Sequence, residues 1–299
     1  MGQSPYPQLL PKELPIVSSW QALTKLYGDN PKWSEDRWIF RGQSDCSWGL
    51  QPSLEREAER FKVPFDKRQQ LEDELLREFK RHYHRYSVSP PQDNDDMEWL
   101  SIMQHYGVPT RLLDWTYSFW VSVYFAIKKH NFSLCQCSAL WAFDVQWWAK
   151  QAFEKHGRLK ELIKCDKNAK NPETVREILK INKPFIYPLN PFRLDKRLAF
   201  QQGVFLVPGT VEKKFMENLS ELASEEEGEK HFIKIPISLD LKNYLEAFNE
   251  LRKMNISRET LFPGLDGFAG QVKESSVAYF VYREAKGVSD NTNPPNDIG

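Results

Sequence analysis

The chain has 299 residues, of which 40% are hydrophobic and 13% aromatic, so it can form one large domain or two small ones around a packed core. Lysine and arginine together number 41, as do aspartate and glutamate, and the formal net charge is therefore zero. This balance excludes a global field that would recruit nucleic acid or an acidic membrane, but not a local basic groove. The four cysteines show neither a paired framework nor zinc spacing, which favours a reducing compartment and no metal.

The first 16 residues are rich in proline and predict an extended arm. They lack the basic start and apolar core of a secretory signal. No apolar run in the chain reaches the ~18 residues that a membrane-spanning helix needs. We therefore expect a cytoplasmic protein without a membrane partner.

Apolar residues follow helical or strand spacing in several parts of the first half. Between residues 66 and 86 the apolar positions recur about every four residues, which predicts an amphipathic helix. Asp66 followed by Gln69 fits a capping box for it. The aromatic and β-branched segment 37–41 predicts a strand that Gly42 ends. Further predicted elements are helices over 17–27, 97–106 and 119–127 and a short strand over 111–113.

The second half mixes strands and helices in no regular order. Strands are predicted over 139–145, 203–207, 232–237 and 277–282. Helices are predicted over 239–254 and over 146–183, where the pattern is typical of an insertion on the scaffold. Because a regular βα alternation is missing, we predict an α+β fold rather than a doubly wound sheet. We expect one domain over residues 17–284 and a disordered polar tail over 285–299.

The stretch from Gln104 to Ala126 places many polar side chains directly before the almost wholly apolar segment 119–127. His105 can act as an acid, a base or a ligand, Thr116 offers a hydroxyl, and Trp115 offers a flat face for a nicotinamide or a base. Polar groups held against a rigid buried helix are typical of a functional site.

Arg41 belongs to the same predicted site. It is a permanent cation with a planar donor fork that suits a phosphate or a carboxylate, and Gly42 allows a ligand or a backbone to come close. Arg111 and Asp114 point to opposite faces of an extended segment, so they are not automatic partners. The structural alternative is that Arg–Asp pairs cross-link buried turns and that Trp115 belongs to the core.

Common catalytic motifs are absent from the chain. Neither G-x-x-x-x-G-K-[ST] nor G-x-G-x-x-G occurs, and neither H-E-x-x-H nor G-x-S-x-G occurs. The nucleotide triphosphatase, Rossmann, zincin and serine hydrolase interpretations therefore lack support.

Several short motifs resemble the FRG domain family, found in bacteria and phages and named for its Phe-Arg-Gly triplet. The most specific of them is the string QH-x-G-x-PTRLLDWT. The resemblance extends from about residue 20 to residue 272, and its motifs are Phe40–Gln43, Gln104–Thr116, Tyr124–Ala126, Gln201–Phe205 and Phe262–Gly267. The activity that it implies is poorly defined.

A weaker resemblance links the chain to the arginine–serine–glutamate class of ADP-ribosyltransferases. It implies a mixed or antiparallel split-sheet core flanked by helices, with NAD as the substrate. Arg41 and Gly42 would then hold the NAD phosphates, and Thr116 would hold the nicotinamide ribose. Trp115 or His105 would flank the nicotinamide.

The third motif of that class departs from its pattern here. Gly203 stands where the catalytic glutamate is expected, and Gln201 stands at the other acidic position. Asp114 or Asp266 would have to supply the carboxylate. Gln202, in the same motif as Gly203, is a further candidate for a catalytic residue.

Three functions follow as hypotheses. The first is an NAD-consuming ADP-ribosyltransferase-like effector, a toxin or an antiviral (phage-defence) protein, that modifies a protein or nucleic acid. The second is a non-catalytic sensor that binds a nucleotide or another phosphorylated ligand on the same fold. The third is a nucleic-acid-binding protein that uses the basic segment Arg193–Arg197. The acceptor, the trigger and the oligomeric state are left open by the sequence.

Overall fold

A computed structural model describes residues 11–129, 137–166, 169, 171–191, 193 and 196–286, without the side chains of residues 275, 277–279 and 281–286. The strands β1–β7 are Lys12–Glu13, Trp38–Gln43, Leu113–Thr116, Ser138–Asp144, Ile186–Leu189, Gly203–Pro208 and Phe232–Ile237. The helices α1–α7 are Trp20–Gly28, Ser53–Arg60, Arg68–Tyr83, Asp96–His105, Phe119–Ile127, Val145–Lys155 and Gly157–Cys165. The helices α8–α14 are Pro172–Leu179, Lys196–Phe200, Phe215–Ser220, Glu225–Gly228, Leu241–Lys253, Arg258–Leu261 and Leu265–Lys286.

The strands form one mixed seven-stranded sheet in the order β1-β7-β4-β2-β3-β6-β5. The short edge strand β1 pairs parallel with β7, and the other neighbours are antiparallel. Helices lie between the strands along the chain in irregular numbers, without a βα repeat. The predicted α+β class with a mixed sheet is confirmed.

The two halves of the sheet meet at a narrow joint. Strands β2 and β3 share a single register pair, Phe40 with Thr116. By contrast, β2 pairs with β4 along its whole length, and so does β3 with β6. The sheet is continuous rather than split, and its weakest connection lies at β2–β3.

The alternation of β2 sends neighbouring side chains to opposite faces of the sheet. Phe40 lies in a core shared with α1, α5 and α12, and Ile39 lies in the larger core on the other face. The nearly all-apolar α5 packs on the first face as predicted, and the Ser118 hydroxyl caps it by accepting the amide of Val121 at 3.2 Å.

The predicted helical insertion 146–183 contributes directly to the main core. It contains most of α6 and all of α7 and α8. Trp148, Leu159 and Ile178 from these helices are buried in the same cluster as the strands β3 and β6. The segment is therefore a structural part of the sheet's second face, and its origin as an insertion stays a prediction.

Several predicted elements need correction. The strand predicted over 277–282 lies inside the helix α14, because a short apolar run does not distinguish a strand from a helix. The strand predicted over 111–113 begins only at Leu113. The capping box at Asp66 is not formed: α3 begins at Arg68 without a side-chain cap, since Gln69 is engaged by Arg111.

Both predicted termini are only partly described. Residues 12–13 of the predicted arm form the edge strand β1, whereas residues 1–10 lie outside the described range. Of the predicted tail, residues 287–299 also lie outside it. Within the described residues, no helix combines the length and apolar composition needed to cross a bilayer.

Candidate functional site

Arg41 bridges the joint between β2 and β3. Its Nη1 donates to the backbone oxygen of Asp114 at 2.5 Å and lies 4.0 Å from Asp114 Oδ2. The side chain is 19% exposed, and its Nε is buried without a hydrogen-bond partner among the described residues. Burial lowers the pKa of the Arg41 guanidinium; the Asp114 carboxylate opposes this and the nearby Arg56 adds to it. Since arginine stays charged in proteins, Arg41 is a desolvated cation with an unused donor.

Asp114 is held beside Arg41 by a chain of hydrogen bonds. Its carboxylate is 58% exposed and accepts the Gln104 amide at 3.0 Å. The same amide donates to the Leu112 carbonyl at 3.3 Å, and its oxygen accepts the Thr110 hydroxyl at 2.6 Å. The structure thus brings together Arg41 and the stretch around Asp114, which the sequence predicted to be one site. Gln104 was not among the predicted site residues, although it begins the polar stretch.

Arg111 has a different, structural position. It is 2% exposed, and its Nε donates to Glu72 Oε2 at 2.7 Å, as part of a buried ion pair. Its Nη2 also donates to Gln69 at 2.8 Å. Arg111 therefore ties the polar stretch to α3.

Thr116 and Trp115 face the interior. The Thr116 hydroxyl donates to the Gln201 carbonyl at 2.6 Å and accepts the Ser118 amide at 3.0 Å. Trp115 is 3% exposed and packs against Phe143. The core thus covers the ring of Trp115, as the structural alternative expected, and its contact with a nicotinamide stays a prediction. Thr116 stays a predicted ribose contact, but its hydroxyl already has two partners.

Gly42 is required by packing against α5. A Cβ added there would overlap the Ser122 carbonyl oxygen and the Ala126 amide nitrogen. The space that the glycine frees is filled by the helix backbone. The close approach of a backbone, one of the two expectations for Gly42, is therefore found, and its contact with a cofactor stays a prediction.

His105 and Gln202 lie at the edges of the site. His105 is exposed at the end of α4, with its ring 5.0 Å from that of Tyr106. Gln202 is exposed in a left-handed conformation with φ of 48°, and its carbonyl accepts the Tyr117 amide at 3.0 Å. The catalytic roles of both side chains stay predictions.

The position of the missing glutamate is crowded. A Cβ added to Gly203 would overlap the Leu198 side chain. The Gln201 side chain donates to the Leu261 carbonyl at 2.9 Å. Asp266, the other carboxylate considered, is exposed in the first turn of α14. Asp114 is therefore the carboxylate that stands closest to the predicted phosphate contact.

A groove of about 550 Å³ lies elsewhere, beside α3, α4 and α8. Its lining includes Lys80, Asp96 and Arg176 and none of the predicted site residues. The described residues contain no group of three or more histidine, cysteine, aspartate or glutamate side chains placed to hold a metal ion.

Comparison with protein families identifies part of the chain. Residues 36–133 match the FRG domain, a segment that contains Arg41, Gln104 and Asp114. The motifs at Gln201–Phe205 and Phe262–Gly267 lie outside this match. Comparison with curated proteins and with solved structures found no significant match, so the resemblance to ADP-ribosyltransferases stays a prediction. The chain therefore carries an FRG domain, over residues 36–133.

Proposed function

We propose that this FRG domain binds the phosphate of a nucleotide, such as NAD, at Arg41. The observation that carries the proposal is the state of the Arg41 guanidinium. It is mostly buried, its Nε has no hydrogen-bond partner in the described chain, and the acceptor within hydrogen-bonding distance of Nη1 is a neutral carbonyl. A buried cation with an unused donor is stabilised by an anion that fits its planar fork.

The charges around Arg41 favour the same ligand. Arg56 lies close enough to lower the pKa of Arg41, so the two positively charged side chains repel each other at this site. Asp114 offsets them only in part, because its carboxylate is 58% exposed and 4.0 Å away. A phosphate would relieve the repulsion between the two arginines.

Transfer of ADP-ribose is the second candidate function, and the position of Asp114 favours it. An exposed carboxylate beside a phosphate-binding arginine would stabilise the positive charge that develops on the ribose as nicotinamide leaves. The acceptor would be a macromolecule, protein or nucleic acid, as in a toxin or an antiviral effector. Asp114 takes this role because Gly203 carries no carboxylate.

Binding of NAD to Arg41 variants tests the first proposal. We expect Arg41→Ala to weaken binding by about 10- to 100-fold, since a hydrogen bond to a charged group contributes about 1.5–3 kcal/mol. Arg41→Lys should recover part of the affinity, because it keeps the charge but loses the fork. The measurement is isothermal titration calorimetry of the whole chain with NAD.

Arg60→Ala is the matched control, since Arg60 is exposed and pairs with Glu57 on the surface of α2. Its affinity for NAD should equal that of the unaltered protein. Equal affinity of Arg41→Ala, with a native thermal transition, would show that Arg41 does not hold the phosphate.

Release of nicotinamide separates transfer from binding alone. With labelled NAD and a protein, DNA or RNA acceptor, we expect release by the unaltered chain and a loss of at least tenfold in Asp114→Asn. The amide can still accept from Gln104 but cannot stabilise a cation. If no acceptor gives release while NAD still binds, transfer is refuted and the binding proposal stands.

A further inference from the structure

Three cations converge on one aromatic ring, that of Phe262, and none of them belongs to the predicted site. Lys128 Nζ lies 5.1 Å from the centre of the Phe262 ring. The guanidinium carbon of Arg197 lies 4.6 Å from that centre, and that of Arg258 lies 5.4 Å from it. The cations follow α5, lie in α9 and begin α13, so the tertiary structure alone brings them together. We call these four residues the Phe262 cluster.

The cluster holds more positive than negative charge. Glu274 pairs with Arg258 at 3.5 Å and also accepts the Tyr124 hydroxyl. Among the described residues, Lys128 and Arg197 have no carboxylate within ion-pair distance, and Arg258 Nε is buried without a hydrogen-bond partner. One carboxylate therefore faces three cations.

The neighbouring cations act on the pKa of Lys128. Burial, together with the charges of Lys129, Arg197 and Arg258, lowers the pKa of Lys128 to about 8, and Glu274 opposes the shift. Cation–π contacts contribute only about 0.5–2 kcal/mol each. They bring the three cations to the ring at the cost of mutual repulsion, which a bound anion would remove.

All four side chains of the Phe262 cluster remain partly exposed, so an anion can reach them from solvent. Two guanidinium groups and one ammonium suit the several oxygens of a phosphate better than a single carboxylate. The ring of Phe262 limits hydration on one side of the cations, which strengthens their attraction for an anion.

We propose that the Phe262 cluster is a second anion site, which binds a phosphate or pyrophosphate group. The group is either free or the terminal part of a nucleotide. The site does not depend on the proposed role of Arg41. It also gives a role to Phe262, which the motif Phe262–Gly267 singled out without a function, and to Arg197 from the basic segment.

Titration with inorganic pyrophosphate and with ADP tests the site and its source of phosphate. We expect saturable binding that Lys128→Met and Arg197→Gln each weaken at least tenfold. Lys150→Gln is the matched control, because Lys150 is exposed on α6 and pairs with Glu154. Tighter binding of pyrophosphate identifies a free anion, and tighter binding of ADP identifies a nucleotide phosphate.

A second readout is proton uptake. A bound anion raises the pKa of Lys128 from about 8, so binding of ADP, whose phosphates are already ionised at pH 8, should take up a fraction of a proton near that pH. The uptake appears as a dependence of the binding enthalpy on the ionisation enthalpy of the buffer, and it should vanish in Lys128→Met.

Arg41→Ala separates the two sites. Pyrophosphate binding that survives Arg41→Ala and is lost in Lys128→Met supports the Phe262 cluster. Absence of binding, or binding that Lys128→Met and Arg197→Gln leave unchanged, overturns it. If a variant is poorly folded, the unaltered chain decides: saturable binding of ADP without any proton uptake between about pH 7.5 and pH 9 overturns the proposal as well.

Discussion

Glu55 is a buried carboxylic acid in α2. It is 7% exposed and accepts the Phe215 amide at 2.8 Å. Burial raises its pKa to about 7, and the amide bond and the charge of Arg68 only partly offset this. The group therefore keeps its proton in the folded protein at a pH where the unfolded chain has lost it.

The folded pKa of Glu55 lies above its unfolded value of 4.5, so its contribution to stability is fully present below about pH 4.5. This contribution is lost as the pH rises through about 7. The loss lowers the unfolding free energy by at most about 3 kcal/mol. Glu55→Gln keeps an acceptor for the Phe215 amide but cannot ionise. We expect its unfolding free energy to fall less than that of the unaltered chain between about pH 5 and pH 8, as measured by urea denaturation.

Glu57→Gln provides the control, since Glu57 is exposed on the same helix and pairs with Arg60. Its pH profile should follow that of the unaltered chain. Parallel profiles for Glu55→Gln and the unaltered chain would show that Glu55 ionises normally.

At the scale of elements, the contact between β2 and α5 positions the candidate site. Gly42 lets the strand backbone approach the helix, and Arg41 next to it points to the other face, where it reaches Asp114. The glycine of the Phe-Arg-Gly triplet thus sets the packing distance, and the arginine supplies the chemistry.

We expect Gly42→Ala to lower the unfolding free energy by about 3 kcal/mol or more, because the added Cβ meets helix backbone that cannot move aside. Gly28→Ala at the end of α1 is the matched control, since no atom lies within 4 Å of an added Cβ. That substitution should change stability by about 1 kcal/mol or less. Urea denaturation of the two variants measures both effects, and a similar small effect in both would contradict the packing role of Gly42.

At the scale of the whole molecule, the matched FRG segment contains only part of the sheet. Within residues 36–133, β2 and β3 meet through one register pair. Their long partners β4 and β6 lie beyond residue 133, and so do the helices α6–α8 of the larger core. The domain therefore needs the rest of the chain to bury its apolar residues.

We expect a fragment of residues 36–133 to lack cooperative unfolding. Without β4, β2 would keep only its single register pair with β3. The apolar α5 would also lose the residues of β4 that help to bury it. Circular dichroism during thermal denaturation of the fragment and of the whole chain compares them. A cooperative transition in the fragment would show that the segment folds independently.

Elements with a strong local pattern were predicted close to their observed ends. The amphipathic α3, the apolar α5 and the alternating β7 are examples, because spacing within one segment determines which face it buries. The segment 277–282 has no such pattern, and its helical state depends on the surrounding chain. The edge strand β5 was missed because it contains Pro188, which an edge position tolerates.

The sequence by itself determined the α+β class, the FRG domain over residues 36–133 and the association of Arg41 with the stretch around Asp114, since these rest on residue types and spacing. Only the tertiary structure decided which of the polar and aromatic residues are covered or already hydrogen-bonded. Phe143 covers Trp115, Ser122 and Ala126 fill the space at Gly42, and Gln201 engages Thr116, although each partner is distant in sequence. Exposure and hydrogen-bond partners depend on such long-range packing, which no local pattern encodes.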